Sequence, residues 1–254
     1  MTLAVTRARP EKPAAPPALP ARNQNQILAA LPAKEYARLL PHLKLVQLPL
    51  GRVLQEQGAQ IAHLYFPIDG IVSLLHVMHD GASVEIAIVG NEGLIGVSLF
   101  MGGDSTTCRA VVQNAGAGYR LGADILRREF ARGGPLQYLA LRYTQALIVQ
   151  MTQTGACNRH HTLDQQLNRW LLLSLDRLPG DELTMTQQLI ANMLGVDLAG
   201  VTGALDKLQA GGMIRYQGGL ITVVDRPGLE DQVCECYAVV KNEFRRLLPY
   251  KLAS

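Results

Sequence analysis

The sequence has few aromatic residues and few cysteines, yet its aliphatic content is high enough for a folded core. Aromatic residues make up 5% of the 254 residues and Trp occurs once, whereas hydrophobic residues as a class make up 48%. This composition argues against a wholly disordered chain. The 4 cysteines are too few for a disulfide framework in a chain of this length, and none lies in a CxxC pair that would indicate zinc.

Long hydrophobic runs are also missing. Uninterrupted apolar stretches such as residues 170–173 are far shorter than the roughly 18–20 residues that a membrane-spanning helix needs. Near the N-terminus, Arg, Lys and Glu occur where a signal peptide would carry its apolar segment. We therefore expect a cytoplasmic protein with reduced thiols and no membrane partner.

An excess of positive charge is found only in the N-terminal segment. Residues 1–52 carry 8 Lys and Arg against 2 acidic residues, whereas residues 53–163 carry 7 against 8 and residues 164–254 carry 9 against 11. Segment 1–26 is rich in Pro, Ala and Arg without apolar periodicity, which predicts a disordered basic tail. Such a tail is usually only solvated, although it could also attract DNA non-specifically.

Residues 43–121 have the pattern of a β domain. Short runs rich in Val, Ile and Leu predict strands, and glycines separate them at the spacing of turns in an all-β sandwich or barrel. A helical segment over 27–40 is expected before this block. The predicted strands are LKLVQL, IAHLYF, GIVSLLHVM, SVEIAIV and CRAVVQ.

The hydrophobic period changes to that of helices after residue 121. A short helix is predicted over 123–131, and Pro135 suits the first turn of a long helix that continues to about His160. One face of this long helix carries a stripe of large apolar residues, which could be core packing or the seam of a dimer. A further helix over 163–178 has the apolar pattern of a core helix. The stripe consists of Leu139, Tyr143, Leu147 and Met151.

The C-terminal third has the spacing of a winged helix-turn-helix. Thr186 is a good N-cap for a helix that ends at Gly195, and Asp197 can cap a second helix. The pair Gly218-Gly219 then separates two apolar runs, which predicts a β-hairpin whose turn needs positive φ angles. The closing segment predicts an amphipathic helix that carries on one face Val233, Tyr237, Val240, Phe244 and Leu247.

The order of these parts resembles the Crp/Fnr family of bacterial transcription regulators. The resemblance implies an α+β fold with a β-roll sensor domain (27–134), a long dimerisation helix (135–162) and a winged helix-turn-helix domain with a C-terminal helix (163–254). It also implies a homodimer that binds double-stranded DNA and regulates transcription by contacting RNA polymerase or by blocking it. The segments that carry it are LPLGRVLQEQGAQIAHLYFPIDGIVSLL, VGNEGLIG, LTMTQQLIANMLGV and LQAGGMIRYQGGLITVVDRPGLE.

The effector pocket that the resemblance implies lacks the usual residues for a cyclic nucleotide. Members that bind one use a Gly-Glu pair for the ribose and, about ten residues on, an Arg-Ser pair for the phosphate. Here Gly96 and Val97 occupy the Gly-Glu position, and Thr106 or Thr107 occupies the arginine position. Because threonine cannot pair with a phosphate as arginine does, we expect that a cyclic nucleotide is not bound in the usual way.

A different pair, Glu92 and Arg109, stays open as an alternative effector site. Arg109 lies two or three residues beyond the usual arginine position, and a one-residue shift on a strand turns a side chain to the opposite face. Residues 91–93 are, moreover, typical of a turn. The candidate effector residues are therefore Glu92, Gly96, Val97, Thr106, Thr107 and Arg109.

No residues close together in the sequence have the composition of a metal site. Other family members hold an iron–sulfur cluster or haem, but nothing here resembles the clustered N-terminal cysteines of the oxygen-sensing members. The best group is Cys157 with His160 and His161; Cys157 and His160 lie one helical turn apart, and dimer symmetry could double them into a four-ligand site. Because solvated histidines at a helix end are more common, we expect neither a cofactor nor a metal.

The predicted recognition helix has an unusual composition for reading DNA. Its start, residues 197–200, contains no arginine, and Asp197 would repel phosphate. Backbone N–H groups near the first helix can still hold a phosphate, Arg215 on the wing is a further phosphate contact, and Arg169 and Arg177 are weaker ones. The candidate DNA-binding residues are Thr186, Gln187, Gln188, Asp197, Leu198, Thr202, Lys207 and Arg215.

We therefore predict a homodimeric transcription regulator that binds DNA more weakly than its relatives, since each lost base contact costs roughly 1–3 kcal/mol. The alternative is a signalling or interaction protein that kept the fold but lost DNA readout, as residues 197–200 suggest. We expect no enzymatic activity, because the sequence shows no Ser/His/Asp set, phosphate-cradling loop or metal-ligand cluster.

Overall fold

The N-terminal half of the protein is built from two antiparallel sheets that share one core. In the computed structural model, which describes residues 24–248, one sheet has the strand order β1-β7-β3 and the other has the order β2-β6-β4-β5. Buried side chains from both sheets belong to one hydrophobic cluster. The strands are β1 Lys44–Leu48, β2 Val53–Gln55, β3 His63–Pro67, β4 Ile71–Val77, β5 Ser83–Val89, β6 Arg109–Asn114 and β7 Gly116–Gly122.

The Val- and Ile-rich runs predicted β1, β3, β4, β5 and β6 correctly, but β2 and β7 were missed. β2 has only 3 residues, and glycines interrupt the alternation of β7, whose sequence is GAGYRLG. The backbones approach closely at β7, since a Cβ on Gly116 would lie 2.5 Å from the backbone nitrogen of Gly70. The glycines that conceal this strand from pattern analysis are therefore part of its packing.

The single helix predicted over 27–40 was wrong, because the segment forms two helices. These are α1 Gln26–Ala30 and α2 Ala33–Leu39, and a short 3₁₀ turn follows at residues 40–42. Pro32 disfavours a helical conformation at the residue before it, and Leu31 is accordingly extended with φ −68° and ψ 140°.

Asn25 anchors the first helix to the β domain. Its side-chain oxygen accepts hydrogen bonds from the first turn of α1, and its amide group donates to the carbonyl oxygens of Pro67 and Gly93. Asn25 is fully buried, so the folded region begins before residue 27. The predicted tail otherwise lies outside the described residues.

The long helix α4, Pro135–His160, contacts both the β domain and the C-terminal part of the protein. It follows α3, Ala123–Phe130, as predicted, and packs against β5 and the C-terminal helix. Within the single chain, Leu139, Tyr143 and Leu147 are buried. Of the two interpretations left open for this stripe, core packing is therefore the correct one.

The C-terminal part is a helix-turn-helix followed by a β-hairpin, as predicted. One further strand, β8, pairs with β10 and completes a sheet of order β8-β10-β9. Among residues 24–248, no single helix combines the length and apolar composition of a membrane span; only α6 and α7 together do so, and that pair is bent by 111°. The elements are α5 Leu163–Leu175, β8 Glu182–Thr184, α6 Gln187–Leu194, α7 Leu198–Ala210, β9 Ile214–Gln217, β10 Leu220–Val223, α8 Arg226–Gln232 and α9 Glu235–Leu247.

Glu85 is a buried acid at the contact between the β domain and α5. Its carboxylate accepts a hydrogen bond from the indole nitrogen of Trp170 at 3.0 Å. Burial raises the pKa of Glu85 to about 7, against the opposing effects of the Ser73 hydroxyl and of the charges on Arg169 and Arg177. The carboxyl group is thus protonated in the folded protein over a pH range in which it is ionised in the unfolded chain.

We expect the substitution Glu85→Gln to stabilise the protein at pH 8 by about 1–3 kcal/mol. Wild-type protein loses stability as the pH rises from about 4.5 to about 7, because the unfolded chain releases a proton that buried Glu85 keeps. Glutamine keeps an acceptor for Trp170 and does not titrate. The difference should shrink towards zero as the pH falls to that of an ordinary glutamate pKa. Urea unfolding at pH 5 and pH 8 checks this, with exposed Glu182→Gln as the control, and an equal difference at both pH values would contradict it.

Candidate nucleic-acid interface

Side-chain caps and one glycine position the two helices of the helix-turn-helix. The Thr186 hydroxyl accepts a hydrogen bond from the N–H of Leu189, which starts α6 as predicted. Gly195 ends α6 with φ +69°, a conformation that L side chains rarely adopt. The Asp197 carboxylate then accepts from the N–H of Gly200 at 2.6 Å and starts α7.

The helix α7 has one packed face and one open face. Its buried residues are Val201, Ala204, Leu205 and Leu208, at the helical spacing expected for a core face. Leu198, the first residue of the helix, is 43% exposed. On the side opposite the buried residues Ala199 is exposed, and a Cβ on Gly203 would meet no atom within 4 Å. The open face consists of small or apolar residues with Asp206 beside Lys207, and it contains no arginine.

Several of the candidate DNA contacts bind one another. The Thr202 hydroxyl donates to Gln187 Oε1 at 2.7 Å, which links α7 to α6. Lys207 Nζ lies 2.9 Å from an oxygen of Asp164 on α5, although the lysine side chain is 70% exposed. Gln188 instead donates to the side chain of Asn192 within α6. Most of the polar side chains at this surface are therefore held in place by neighbours.

The carboxylate of Asp197 is occupied as a helix cap. It accepts the N–H of Gly200 at the positive end of the α7 dipole, which offsets part of its negative charge. Asp197 is therefore as much a structural residue as a surface charge. Its effect on a nearby phosphate is smaller than its formal charge suggests.

The wing carries an exposed cation, Arg215, which forms no ion pair with the other residues in the range 24–248. Gly218 and Gly219 have φ angles of +60° and +85°, so they form the tight hairpin turn that the sequence predicts. Arg215 lies on β9 opposite Thr222 of β10 and is exposed.

The prediction that Arg169 and Arg177 could contact phosphate was wrong. Their side chains are buried inside the chain, with Arg169 at 4% exposure and Arg177 at 7%. Arg169 donates to the Thr154 hydroxyl of α4, and Arg177 binds Glu92. Arg169 in α5 and Arg177 just after this helix lie on sides that pack against other parts of the protein, which a helical pattern alone does not reveal.

The helix-turn-helix also contacts the β domain directly. Helix α6 packs against β5, and a Cβ on Gly195 would lie 3.3 Å from a methyl carbon of Val84. Beside this contact, a cleft of about 590 Å³ lies between the β4–β5 hairpin and the turn that joins α6 to α7. Residues of the hairpin line one side of the cleft, and residues of α6 and the turn line the other.

The predicted cyclic-nucleotide positions have other roles. Gly96 has φ +111° and precedes a short 3₁₀ helix that begins at Val97. The Thr106 hydroxyl accepts from the N–H of Cys108, and Thr107 is exposed. No cation among these residues takes the place of the usual arginine.

The structure does not bring Glu92 and Arg109 into one site. Arg109 Nε lies 3.1 Å from a carboxylate oxygen of Glu56, at the surface of the β domain. Glu92 instead lies in the turn predicted for residues 91–93, where it is buried and bound to Arg177 at 2.7 Å. The alternative effector pair was therefore wrong, because each residue has a different partner.

Comparison with known families gives two domain matches. The model described as a Crp-like helix-turn-helix domain matches residues 165–232, and that described as a cyclic nucleotide-binding domain matches residues 45–132. The cyclic nucleotide-binding match lies in the β domain, and the helix-turn-helix match lies in the C-terminal part of the structure. The chain belongs to the Crp/Fnr family of transcription regulators.

Solved Crp/Fnr structures have the same fold. FixK2 from Bradyrhizobium japonicum aligns with a TM-score of 0.66 at 16% identity, over 76% of this chain and 98% of its own. A family member from Eubacterium rectale gives 0.65 at 16% identity, over 83% of this chain and 98% of its own. The c-di-GMP-responsive regulator CLP from Xanthomonas campestris gives 0.60 at 18% identity, over 76% and 99%. No curated protein sequence matches.

Folding also assembles a cluster of sulfur and nitrogen ligands that the sequence analysis did not predict. Atoms of Cys157, His161, Cys234 and Cys236 that can bind a metal all lie within 4.8 Å of one another. Of the group named from the sequence, Cys157 and His161 lie in this cluster, whereas His160 is exposed and outside it. The two halves of the cluster lie more than 70 residues apart in the sequence, so local spacing gives only the weak signals Cys-x-x-x-His and Cys-x-Cys.

We expect cyclic AMP and cyclic GMP not to bind the β domain of this Crp/Fnr protein. Val97 cannot accept hydrogen bonds from ribose hydroxyls, and neither Thr106 nor Thr107 carries the charge that holds the phosphate. Isothermal titration calorimetry should give only the heat of dilution, with a known cyclic-nucleotide-binding relative as the positive control. Saturable heat at one site per chain would contradict this expectation.

Proposed function

We propose that this protein regulates transcription as a homodimer that binds double-stranded DNA through its winged helix-turn-helix. In this proposal α7 enters the major groove and the β9–β10 wing lies along the neighbouring phosphates. The bound dimer then acts by contacting RNA polymerase or by blocking its access to the promoter. The protein performs no enzymatic reaction and works in the cytoplasm, where its DNA target lies.

The observation that carries the proposal is the open face of α7 beside the wing. Ala199 and Gly203 are open to solvent along this helix, while its other face is held in the core. An exposed helix of 13 residues next to a β-hairpin has the shape that enters a major groove. The small residues at its surface allow the helix backbone to approach the base edges closely.

Electrostatics supports weak rather than strong binding. The N–H groups at the start of α6 and the guanidinium group of Arg215 are suited to phosphate oxygens. The open face of α7 offers only Lys207, and that cation lies near Asp164. Since each phosphate contact adds about one unit to the salt slope, we infer a shallow salt dependence.

Fluorescence anisotropy with DNA selected from a random pool tests the proposal. We expect binding at low salt, and we expect Arg215→Ala to reduce the salt slope by about one unit. Gly203→Arg should raise the affinity and steepen the slope by about one unit, because it adds a cation to the open face. Exposed Lys34→Ala and Gln57→Arg, on α2 and in the β domain, serve as the matched controls and should change neither quantity.

The selected sequences distinguish DNA reading from mere retention of the fold. An enriched inverted repeat with half-sites about 10 base pairs apart, or a multiple of that distance, supports a dimer that reads DNA. Binding without any enriched sequence would instead favour the alternative function, a protein that kept the fold without readout. No binding even at low salt would overturn the proposal.

The dimer is supported by a second, exposed stripe on α4. Residues on this side recur at spacings of three and four, as in a coiled-coil seam, and Tyr138, Leu141 and Ile148 are 56%, 51% and 49% exposed. Between Arg142 and Arg159 the helix carries no charged residue, so two copies could pack without like-charge repulsion. The stripe consists of Tyr138, Leu141, Gln145, Ile148, Thr152 and Gly155.

We expect Ile148→Glu to convert the dimer to a monomer. The substitution would place two carboxylates face to face across the seam, where they lose hydration and repel each other. Light scattering coupled to size-exclusion chromatography measures the mass directly. Leu50→Glu, an equally exposed apolar position in the turn before β2, should leave the mass unchanged. A wild-type monomer, or a dimeric Ile148→Glu variant, would contradict this mode of assembly.

A further inference from the structure

A group of three thiols and one imidazole lies where the long helix meets the C-terminal helix. Cys157 is in the last turn of α4, and His161 caps the end of that helix. Cys234 caps the start of α9, and Cys236 is in its first turn. The three cysteine side chains are buried and form no disulfide. We propose that these four residues bind one Zn²⁺ ion.

The distances fit tetrahedral zinc. Cys157 Sγ lies 3.6 Å from Cys234 Sγ, and Cys236 Sγ lies 3.6 Å from His161 Nδ1. With Zn–S near 2.3 Å and Zn–N near 2.0 Å, a tetrahedral site separates two sulfurs by about 3.8 Å and a sulfur from a nitrogen by about 3.5 Å. Because all the ligand atoms lie within 4.8 Å of one another, the space suits a single ion.

The ligand types select zinc and a structural role. Thiolate sulfur and imidazole nitrogen are soft or borderline ligands, which zinc binds well. Magnesium and calcium bind oxygen ligands instead. Four protein ligands complete the coordination sphere of zinc and leave no open position for a substrate. The site would therefore hold structure together and would not catalyse a reaction.

Neighbouring groups support the bound state. His161 Nε2 lies 3.4 Å from a carboxylate oxygen of Glu235, the outer partner that commonly orients a metal-binding imidazole. Cys234 and Cys236 lie at the positive end of the α9 dipole, which favours thiolates.

The charge of the site is also balanced. Three thiolates, a neutral imidazole and Zn²⁺ leave a net charge of about −1 at the site. Arg169 provides a nearby positive charge, which lowers the pKa of Cys157 against the larger raising effect of burial. Its buried Nε atom has no hydrogen-bond partner among the described residues. A cation buried in this way is stabilised by an anionic neighbour.

The position of the site gives the ion a mechanical role. His161 and Thr162 are the only residues between α4 and α5, which begins with a capping box at Thr162. Zinc bound to His161 would tie this connection to the start of α9. The ion would thereby fix the direction in which the chain leaves the long helix for the helix-turn-helix.

Metal analysis of the full-length protein tests the proposal. Protein purified under reducing conditions without a metal-binding tag should contain about one zinc per chain by plasma mass spectrometry. Exchange of Co²⁺ into the site should give the intense thiolate-to-cobalt charge-transfer bands of a tetrahedral cysteine site. Removing the metal with a chelator should lower the melting temperature by about 5 °C or more.

Matched variants assign the ligands. Cys236→Ser and His161→Ala should lose zinc, whereas His160→Ala and Cys108→Ser, which alter a neighbouring histidine and a cysteine outside the cluster, should retain it. If a ligand variant fails to fold, the cobalt spectrum of the wild-type protein still decides. Wild-type protein without zinc and without cobalt bands, a Cys157–Cys234 disulfide in freshly purified protein, or full zinc retention by the ligand variants would overturn the proposal. None of these results depends on DNA binding.

Discussion

The arrangement of the whole molecule depends on how one buried guanidinium group is held. Arg177, just beyond α5, donates to Glu92 of the β domain, to Gln150 of α4 and to the carbonyl oxygen of Leu173 in the last turns of α5. A buried positive charge requires nearly complete pairing, so these partners must keep their positions together. Arg177 thus connects the β domain, the long helix and the end of α5, in addition to the contact of α6 with β5.

In the helix-turn-helix, the residues that hold the fold are different from those that face the solvent. The buried face of α7 keeps the apolar residues that hold it against the core. Its open face carries little charge, and this does not affect that packing, since exposed positions contribute little to stability. The chain therefore keeps the fold of its family, while the proposed binding of DNA would depend on the few cations and helix termini at this surface.

The cysteine–histidine cluster provides a second junction, at the opposite end of α4 from its N-terminal proline. Helix α9 returns along α4 and brings Cys234 and Cys236 to Cys157 and His161. Burial raises the pKa of Cys236 to about 12, with further raising effects from Cys234 and Cys157. Without a metal, burial therefore favours the neutral thiol of Cys236, and binding of the proposed Zn²⁺ would release its proton.

The sequence by itself determined the elements whose signals are local. Alternating apolar runs gave most strands, and Thr186, Gly195, Asp197 and the pair 218–219 gave the helix-turn-helix and the hairpin, because caps and turns depend on neighbouring residues. Only the tertiary structure decided which charged residues are buried and which sulfur atoms meet, as with Arg177 and with Cys157 and Cys234, which are 77 residues apart. The physical reason is that those contacts form only when separate elements pack against one another. No periodic pattern in the sequence around these residues indicates which residues they will contact.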